Sequence, residues 1–545
     1  MSQPWWRGAT LYQIYPRSFA DANGDGLGDL AGIAARLPYV ASLGVDGVWI
    51  SPFYPSPMRD FGYDVSEHCD VDARFGTLAD FDALLRQAHA LGLKVVIDQV
   101  WSHTALEHRW FLASRESRDN PHADWYVWAD ARADGGPPTN WLSWMGGPTW
   151  SWEPRRQQYY LHNFLPQMPD LNLHHPEVQQ AILGIARFWL DRGVDGFRLD
   201  TANYYCHDLQ PRDNPPQPPG HRGDVPAAMQ QHLHNICQPQ TLPFLEQVRA
   251  LFERYHERMT VAEIGSADNL ARMIEYTAGE HRLHTAYSFV MLGDAPDAAT
   301  LAGWLQPWNE GEGLAAWPSW AMSNHDAPRV ATRWAQGDAR RIRQCLVLLA
   351  SLRGTLFLYQ GEELGLEQSS LRLDQLQDPF GIAHWPRREG RDGCRTPMPW
   401  VAEAPQAGFT TGMPWLPVDE RHRALAVDRQ AADPHSTLAL TRRLLALRRA
   451  SPALRHGALQ ILHAQGPLFA MRRSHGDEHL VVALNLGEAP QRFDLPTPGR
   501  PERAWLAING ASVQGSALTL PAWSAAIVGL ARAPLTDDAP QGRSA

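Results

Sequence analysis

Cysteine is scarce: the chain of 545 residues carries five, Cys69, Cys206, Cys237, Cys345 and Cys394. They are odd in number and scattered, with no CxxC or Cys/His spacing, so neither a zinc ribbon nor a disulfide framework is expected. The expectation is reduced thiols in a cytoplasm. Long apolar runs are missing too, since none approaches the ~20 residues of a membrane helix. The opening MSQPWWRGAT has neither the basic nor the apolar region of a secretory signal. Positive charge is not in excess. Lys and Arg number 49 against 59 Asp and Glu, a formal −10 that argues against nucleic acid and anionic membranes as partners.

What is there points to an ordinary globular protein of more than one domain, because a single core rarely grows past ~300 residues. Tryptophan is abundant, 22 in all, with a cluster from Trp101 through Trp110, Trp125, Trp128, Trp141, Trp144 and Trp150 to Trp152. Such rings suit the flat apolar faces of sugars, and they suit core packing equally well. One unit recurs in LAGIAARLPYVASLGVDGVWISP, LADFDALLRQAHALGLKVVIDQV and VQQAILGIARFWLDRGVDGFRLD. Each begins as a helix, stops at a glycine (Gly44, Gly92, Gly193) that permits a left-handed C-cap, and continues as a short apolar strand. Pro176 fits the first turn of the third helix. Extended along the chain, the pattern predicts strands at about 10–15, 47–50, 94–98, 196–199, 259–262, 286–291, 319–322 and 355–359. Eight strands alternating with helices make an α/β protein, a (β/α)8 TIM barrel.

The rhythm breaks in several places. A Trp- and Pro-rich stretch after the third strand predicts a small inserted domain at 104–173, with the barrel formed by 1–103 and 174–450. A Pro-rich run, 208–225, follows the fourth strand; it is either a disordered excursion or a wall of the active site. Residues 365–425 are irregular. From about Ser451 short alternating apolar runs predict a C-terminal antiparallel β-sandwich domain, 451–535, and the tail 536–545 is expected to be disordered.

Barrel enzymes carry their chemistry at the C-terminal ends of the strands. Just past strand three come Asp98 and His103; at strand four, Arg198 and Asp200; at strand five, Glu263; past strand seven, His325 and Asp326. Any one alone would commonly be a cap or an ion pair, but their joint occurrence at one rim is less ordinary. Arg198 and Asp200, two apart on a strand, point the same way. The guanidinium is expected to lower the Asp200 pKa and keep a nucleophile ionised. Glu263 lies in the apolar strand MTVAEI, where burial would raise its pKa and fit it to donate a proton. Two carboxyls with separated pKa values equip a site for glycoside hydrolysis. A metal site is the rival assignment, although hydrolytic metal sites usually hold more histidine.

Nearly the whole chain resembles glycoside hydrolase family 13, the α-amylase family, in its α-glucosidase and oligo-1,6-glucosidase branch. The motifs are LYQIYPRSF, DFGYDV, DQVWSH, QMPDLN, GFRLD, AEIG, SNHD, LYQGEELG and RTPMPW. The resemblance implies a retaining enzyme with Asp200 as nucleophile, Glu263 as acid and base, and Asp326 steadying the transition state. It implies substrate contacts from Tyr63, Asp64, His103, Phe164, Arg198, Thr201, Tyr204, His325 and Arg329. In the exo-acting branch an Asp–Arg pair closes the pocket behind the terminal glucose; Asp64 matches the Asp, and Arg395 or Arg391 the Arg. No organic cofactor is implied. The partners would be a small α-glucoside and a glucosyl acceptor (water, sugar or alcohol), with the protein a monomer or homodimer.

DANGDGLGD, residues 21–29, carries an acid or amide at alternate positions, which serves either a tight turn or an oxygen-ligated cation. The resemblance implies one structural Ca2+, or Mg2+, held by Asp21, Asn23, Asp25, Asp29 and the Leu27 carbonyl. Three departures from the family pattern stand out. Tyr204 replaces His or Lys four residues after the nucleophile position, Ser102 replaces Asn, and Thr201 stands where Val accompanies α-1,6 cleavage. Thr201 therefore leans the expectation towards α-1,4 bonds, as in maltose.

Overall fold

The computed structural model describes residues 3–220, 223, 225–496 and 501–530. Eight parallel strands are present: β1 (Thr10–Ile14), β2 (Gly47–Ile50), β3 (Lys94–Gln99), β4 (Gly196–Leu199), β5 (Met259–Ile264), β6 (Thr285–Ser288), β7 (Ser319–Ala321) and β8 (Thr355–Tyr359). They form one sheet in the order β7-β8-β1-β2-β3-β4-β5-β6, and a parallel bridge between Ala286 and Pro318 brings its edges together. The sixth strand is shorter than the sequence suggests, because Phe289–Leu292 coil into a 3-10 turn.

Local chemistry accounts for the joints. Gly44, Gly92 and Gly193 sit at φ +89°, +75° and +98°, the left-handed caps that turn each helix into the next strand. Thr77 and Asp80 form a reciprocal capping box on helix Leu78–Ala90, and Pro176 opens helix Pro176–Asp191. Side chains alternate along the strands. Tyr12, Val48, Ile50, Val95, Ile97 and Phe197 face the helices in the main core. Leu11, Trp49, Val96, Val261, Tyr287 and Phe357 meet inside the barrel. The interior is thus a packed floor beneath the strand ends.

Between β3 and β4 lies a three-stranded antiparallel sheet with Gln158–Leu161 at its centre, flanked by Trp128–Ala129 and Trp150–Glu153. Its tryptophans chiefly pack. Trp141 and Trp150 join Val127 and Leu161 in a small core, and Trp101 and Trp110 join the main one. The Pro-rich run is bonded to the inserted segment. Asp213 accepts from Arg132 and from the Asn140 amide, and Trp141 Nε1 donates to the Arg212 carbonyl. Residues 208–220 are thereby fastened to the inserted segment; 221, 222 and 224 lie outside the described residues.

The chain ends in antiparallel sheets. Five strands between Ala458 and Leu530 form one sheet and three form a second. Ala470, Val481 and Val528 of the first share a core with Leu518 and Leu520 of the second. The predicted disordered tail, 536–545, lies outside the described residues. All five cysteines are free thiols. Among the described residues no helix is long and apolar enough to cross a membrane.

Leu11 is fully buried in the barrel floor. Leu11→Ala is expected to destabilise the protein by about 2–5 kcal/mol, seen as a lower denaturant midpoint at unchanged slope. A midpoint that does not move would mean that the floor is not close-packed.

Candidate active site

Three of the predicted rim residues, Asp98, Asp200 and Glu263, meet around one guanidinium. Arg198, fully buried on β4, donates from Nη1 to Asp98 Oδ1 at 2.8 Å and to Asp200 Oδ1 at 2.5 Å. Its Nη2 lies 2.5 Å from Glu263 Oε1 and 3.1 Å from the Tyr287 hydroxyl. Strand register makes this possible, since Asp98 and Arg198 are direct partners across β3 and β4, and Glu263 and Tyr287 across β5 and β6. Tyr287 also donates to Glu263 Oε1 at 3.0 Å.

One positive charge faces three buried carboxyls, and it does not neutralise them all. Burial pushes Asp200 and Glu263 each up to about 7, and Asp98 to about 6, with Arg198 pulling all three down. The raised Glu263 is as expected. The expected depression of Asp200 is corrected: burial among like charges outweighs the guanidinium. Asp200 and Glu263 are thus both raised while contacting the same guanidinium.

Asp326 is treated differently. Burial acts on it in the raising direction, but the guanidiniums of Arg391, Arg395 and Arg198 prevail and hold it well below the usual carboxylate range. Its Oδ1 lies 2.8 Å from Arg395 and 3.3 Å from Arg391. Its neighbour His325 is stacked between Tyr15 and Tyr63, at ring centroids 5.5 and 5.3 Å away. Tyr63 bonds His325 Nε2 at 2.7 Å and donates to Asp98 Oδ2 at 3.0 Å, tying the β3 side of the rim to the β7 side. Burial pushes His325 down to about 3, so the ring is neutral.

Two predicted contacts are corrected. Asp64 does not face the site: it accepts from Ser56 Oγ and from the Arg59 and Asp60 amides, and so shapes its own loop. The acid paired with arginine is Asp60, 2.5 Å from Arg391 Nη2. Of the two arginines left open, Arg391 makes that pair and is also held by Asp378 at 2.7 Å, while Arg395 donates to the His325 carbonyl. Arg329 stands behind the site, bonding the Gln360 and Cys394 carbonyls over the Tyr359 ring. Both acids of DFGYD are buried, and spacing gives no reason to choose between them. Sequence reasoning also missed Tyr287, for which inward parity on a strand was a usable signal, and Asp378, which caps a helix at an Asp-Pro step.

His103, Phe164 and Tyr204 form a continuous aromatic face, with centroids 5.4 and 5.2 Å apart. Thr201 sits at φ +41°, ψ +45°, a left-handed conformation costly for a β-branched residue. That bend aims its hydroxyl at Asp200 Oδ2, 3.1 Å away, and its amide at Glu263 Oε2, 3.3 Å away.

The loop 21–29 stands apart from these groups. Asp21 accepts from the Asn23, Gly24 and Gly26 amides, Asn23 from Asp25, and Asp25 from Leu27, a run of Asx turns. Asp29 caps helix Leu30–Ser42. The donors are all oxygen, as a hard cation prefers, and an oxygen that accepts one amide keeps a second lone pair. Among the described residues, however, no three His, Cys, Asp or Glu side chains gather as a metal cluster. Asn23 and the Leu27 carbonyl are outside that grouping, and the donor types fit a cation. A separate cleft of about 560 Å3, lined by His89, Lys94, Asp195, Glu257 and Arg258, opens at the N-terminal strand ends, the face that serves stability in such barrels.

A (β/α)8 barrel with buried carboxyls on one arginine at its C-terminal rim defines the class, an enzyme of carbohydrate cleavage. Residues 13–457 match the family described as "Alpha amylase, catalytic domain", and 455–527 match a domain of unknown function, DUF3459. A "Probable alpha-glucosidase" of Rhizobium meliloti (strain 1021) is 50% identical over 508 residues, 90% of this chain and 91% of that one. An "Oligo-1,6-glucosidase" of Heyndrickxia coagulans is 35% identical over 90% of this chain and 94% of its own. The crystal structure of the alpha-glucosyl transfer enzyme XgtA superposes with a TM-score of 0.93 at 51% identity, covering 97% of this chain and all of the other. That of the trehalulose synthase MutB from Pseudomonas mesoacidophila MX-45 gives 0.88 at 30% identity over the same shares. The chain belongs to the α-amylase family, glycoside hydrolase family 13, in its α-glucosidase branch.

Arg198→Met would leave Asp98, Asp200 and Glu263 buried without counter-charge. Their folded pKa values, already above the unfolded ones, would rise further, and a raised carboxyl costs stability as pH climbs above its unfolded pKa. The deficit against wild type is therefore expected to be about 3–5 kcal/mol at neutral pH and smaller at about pH 5 than at about pH 8. Melting temperatures across that range check it, and a deficit independent of pH would count against the charge account.

Proposed function

We propose that the protein is an exo-acting retaining α-glucosidase, which releases or transfers the non-reducing terminal glucosyl unit of short α-glucosides. Asp200 attacks the anomeric carbon and forms a covalent glucosyl-enzyme. Glu263 protonates the departing oxygen, then takes the proton from the incoming water or alcohol. Asp326, ionised, steadies the positive charge that develops on the sugar ring.

The observation that carries this reading is the single guanidinium shared by Asp200 and Glu263. Both carboxyls lie 2.5 Å from its nitrogens, in keeping with the closely spaced pair of a retaining enzyme. Glu263, raised to about 7 by burial, is suited to hold a proton for donation. The Asp60–Arg391–Asp326 chain, braced by Asp378, supports exo action, since it is the Asp–Arg pairing that the family resemblance puts behind the terminal glucose. Thr201 supports a preference for α-1,4 bonds.

Transfer is a second outcome of the same intermediate. The aromatic face of Phe164 and Tyr204 at the mouth would hold a sugar or alcohol acceptor against competition from water. Two structural neighbours are themselves an alpha-glucosyl transfer enzyme and a trehalulose synthase. Cleavage of α-1,6 bonds is the alternative hydrolytic specificity. We further propose a cytoplasmic protein, consistent with its free thiols, and a structural Ca2+ or Mg2+ at Asp21, Asn23, Asp25, Asp29 and the Leu27 carbonyl that would stiffen the loop without entering the chemistry.

Purified protein is expected to turn over maltose faster than isomaltose and to release α-glucose first, by polarimetry or NMR. Asp200→Asn should lose roughly 10^4-fold or more in kcat. β-Glucose as first product, or an active Asp200→Asn, would sink the mechanism, and preferred isomaltose would sink the Thr201 argument. For the cation, chelation should lower the melting temperature and added Ca2+ restore it; a temperature unmoved by both would leave the loop as Asx turns alone.

A further inference from the structure

Behind Asp200 runs a chain of hydrogen bonds that the proposed reaction does not require. Thr201 Oγ1 lies 3.1 Å from Asp200 Oδ2 and 2.9 Å from Ser102 Oγ. Ser102 Oγ lies 2.9 Å from His103 Nδ1, and His103 Nε2 faces the Tyr63 carbonyl at 3.2 Å. Ser102 and His103 are buried, at 2% and 1% exposure, so each has few other partners.

The hydrogens can be counted. A carbonyl only accepts, so His103 carries its hydrogen on Nε2, and the Nδ1 of the neutral ring accepts. Ser102 must then donate to Nδ1. Thr201 has one hydrogen and two oxygen neighbours. One is Ser102, whose hydrogen is already committed; the other is a carboxylate, which has none when ionised. Four contacts need four hydrogens. Ionised Asp200 with neutral His103 leaves three: one each from Thr201, Ser102 and His103. A proton on Asp200 supplies the fourth, and every link then runs one way, from Asp200 through Thr201, Ser102 and His103 to the Tyr63 carbonyl. A charged His103 would supply it as well, but burial pushes that ring down to about 3.

We propose that Ser102 is a positioning residue that governs the ionisation of Asp200 through Thr201. The intact chain favours the protonated carboxyl. When Asp200 ionises, Thr201 turns its hydrogen to the carboxylate, and the Ser102–Thr201 contact is left as two facing lone pairs. The proposal rests on the reading of Asp200 as nucleophile. It makes Ser102 a brake on that nucleophile at acid pH, held there by a strained Thr201.

The other groups around the chain stay in place when Ser102 changes. Asp200 faces Arg198 on β4, Asp98 on β3, Glu263 on β5, Asp326 after β7, and the phenols of Tyr63 and Tyr205. His103 faces Tyr63, the Phe164 ring and, further off, His68. A shift produced at Ser102 alone is therefore assignable to the chain.

The test is the pH profile of kcat/KM on 4-nitrophenyl α-glucoside, whose activated leaving group makes little demand on Glu263. Removing the Ser102 hydroxyl withdraws support from protonated Asp200, lowers its pKa and moves the acid limb to lower pH. Ser102→Ala is thus expected to retain more of its own maximal activity on the acid side, about threefold more for a half-unit shift. Structural damage would only lose activity. Thr201→Ser, which keeps the hydroxyl, should hold the wild-type limb. Ser102→Cys, near in size but a weak donor, should shift as alanine does, by less, and stands in if alanine lowers the melting temperature too far. An unmoved limb in both Ser102 variants, or an equal shift in Thr201→Ser, would overturn the proposal. With Asp200→Asn inactive, such a result removes only the chain; with Asp200→Asn active, the underlying reading goes as well.

Discussion

One buried guanidinium has to serve too many carboxylates, and the rim of the barrel is organised around that shortage. Arg198 touches Asp98, Asp200 and Glu263, and burial drives all three above their ordinary pKa values despite it. The second positive centre, Arg391 with Arg395, is spent on Asp326, Asp60 and Asp378, where it keeps Asp326 ionised. Two charge regimes thus stand side by side, one short of positive charge with raised carboxyls, the other well supplied with Asp326 ionised. An acid, a nucleophile and a fixed anion need that contrast.

The rest of the fold maintains it. The close-packed floor of Leu11, Trp49, Val261 and Phe357 excludes water from beneath Arg198, which keeps the local dielectric low and the shifts large. The neutral His325, sandwiched between two tyrosines, carries contact across the pocket without adding charge. The inserted segment and the Pro-rich run 208–220 brace one another, and the aromatic residues Phe164 and Tyr204 line the same side.

Much of this was legible in the order of residues. The helix–glycine–strand unit predicted eight strands close to where they lie, because glycine at a left-handed cap and short apolar strands leave local marks. The carboxyls at strand ends followed from the barrel. The errors share a cause. Asp64 and Asp60 sit in one buried motif, and nothing local says which will turn towards an arginine more than 300 residues away. Arg329 was implied as a contact by the resemblance, yet its side chain bonds the Gln360 and Cys394 carbonyls behind the site.

The sequence by itself determined the architecture, the family and the identity of the acidic groups at the rim, since these rest on periodicity, on turn chemistry and on short motifs that each fit within one stretch of chain. Tertiary structure alone decided how charge is shared among those groups: that Asp200 is raised rather than lowered, that Asp60 is the partner of Arg391, and that Ser102 reaches Asp200 through Thr201. A pKa depends on burial and on distances between residues remote along the chain, and neither quantity exists until the barrel has closed.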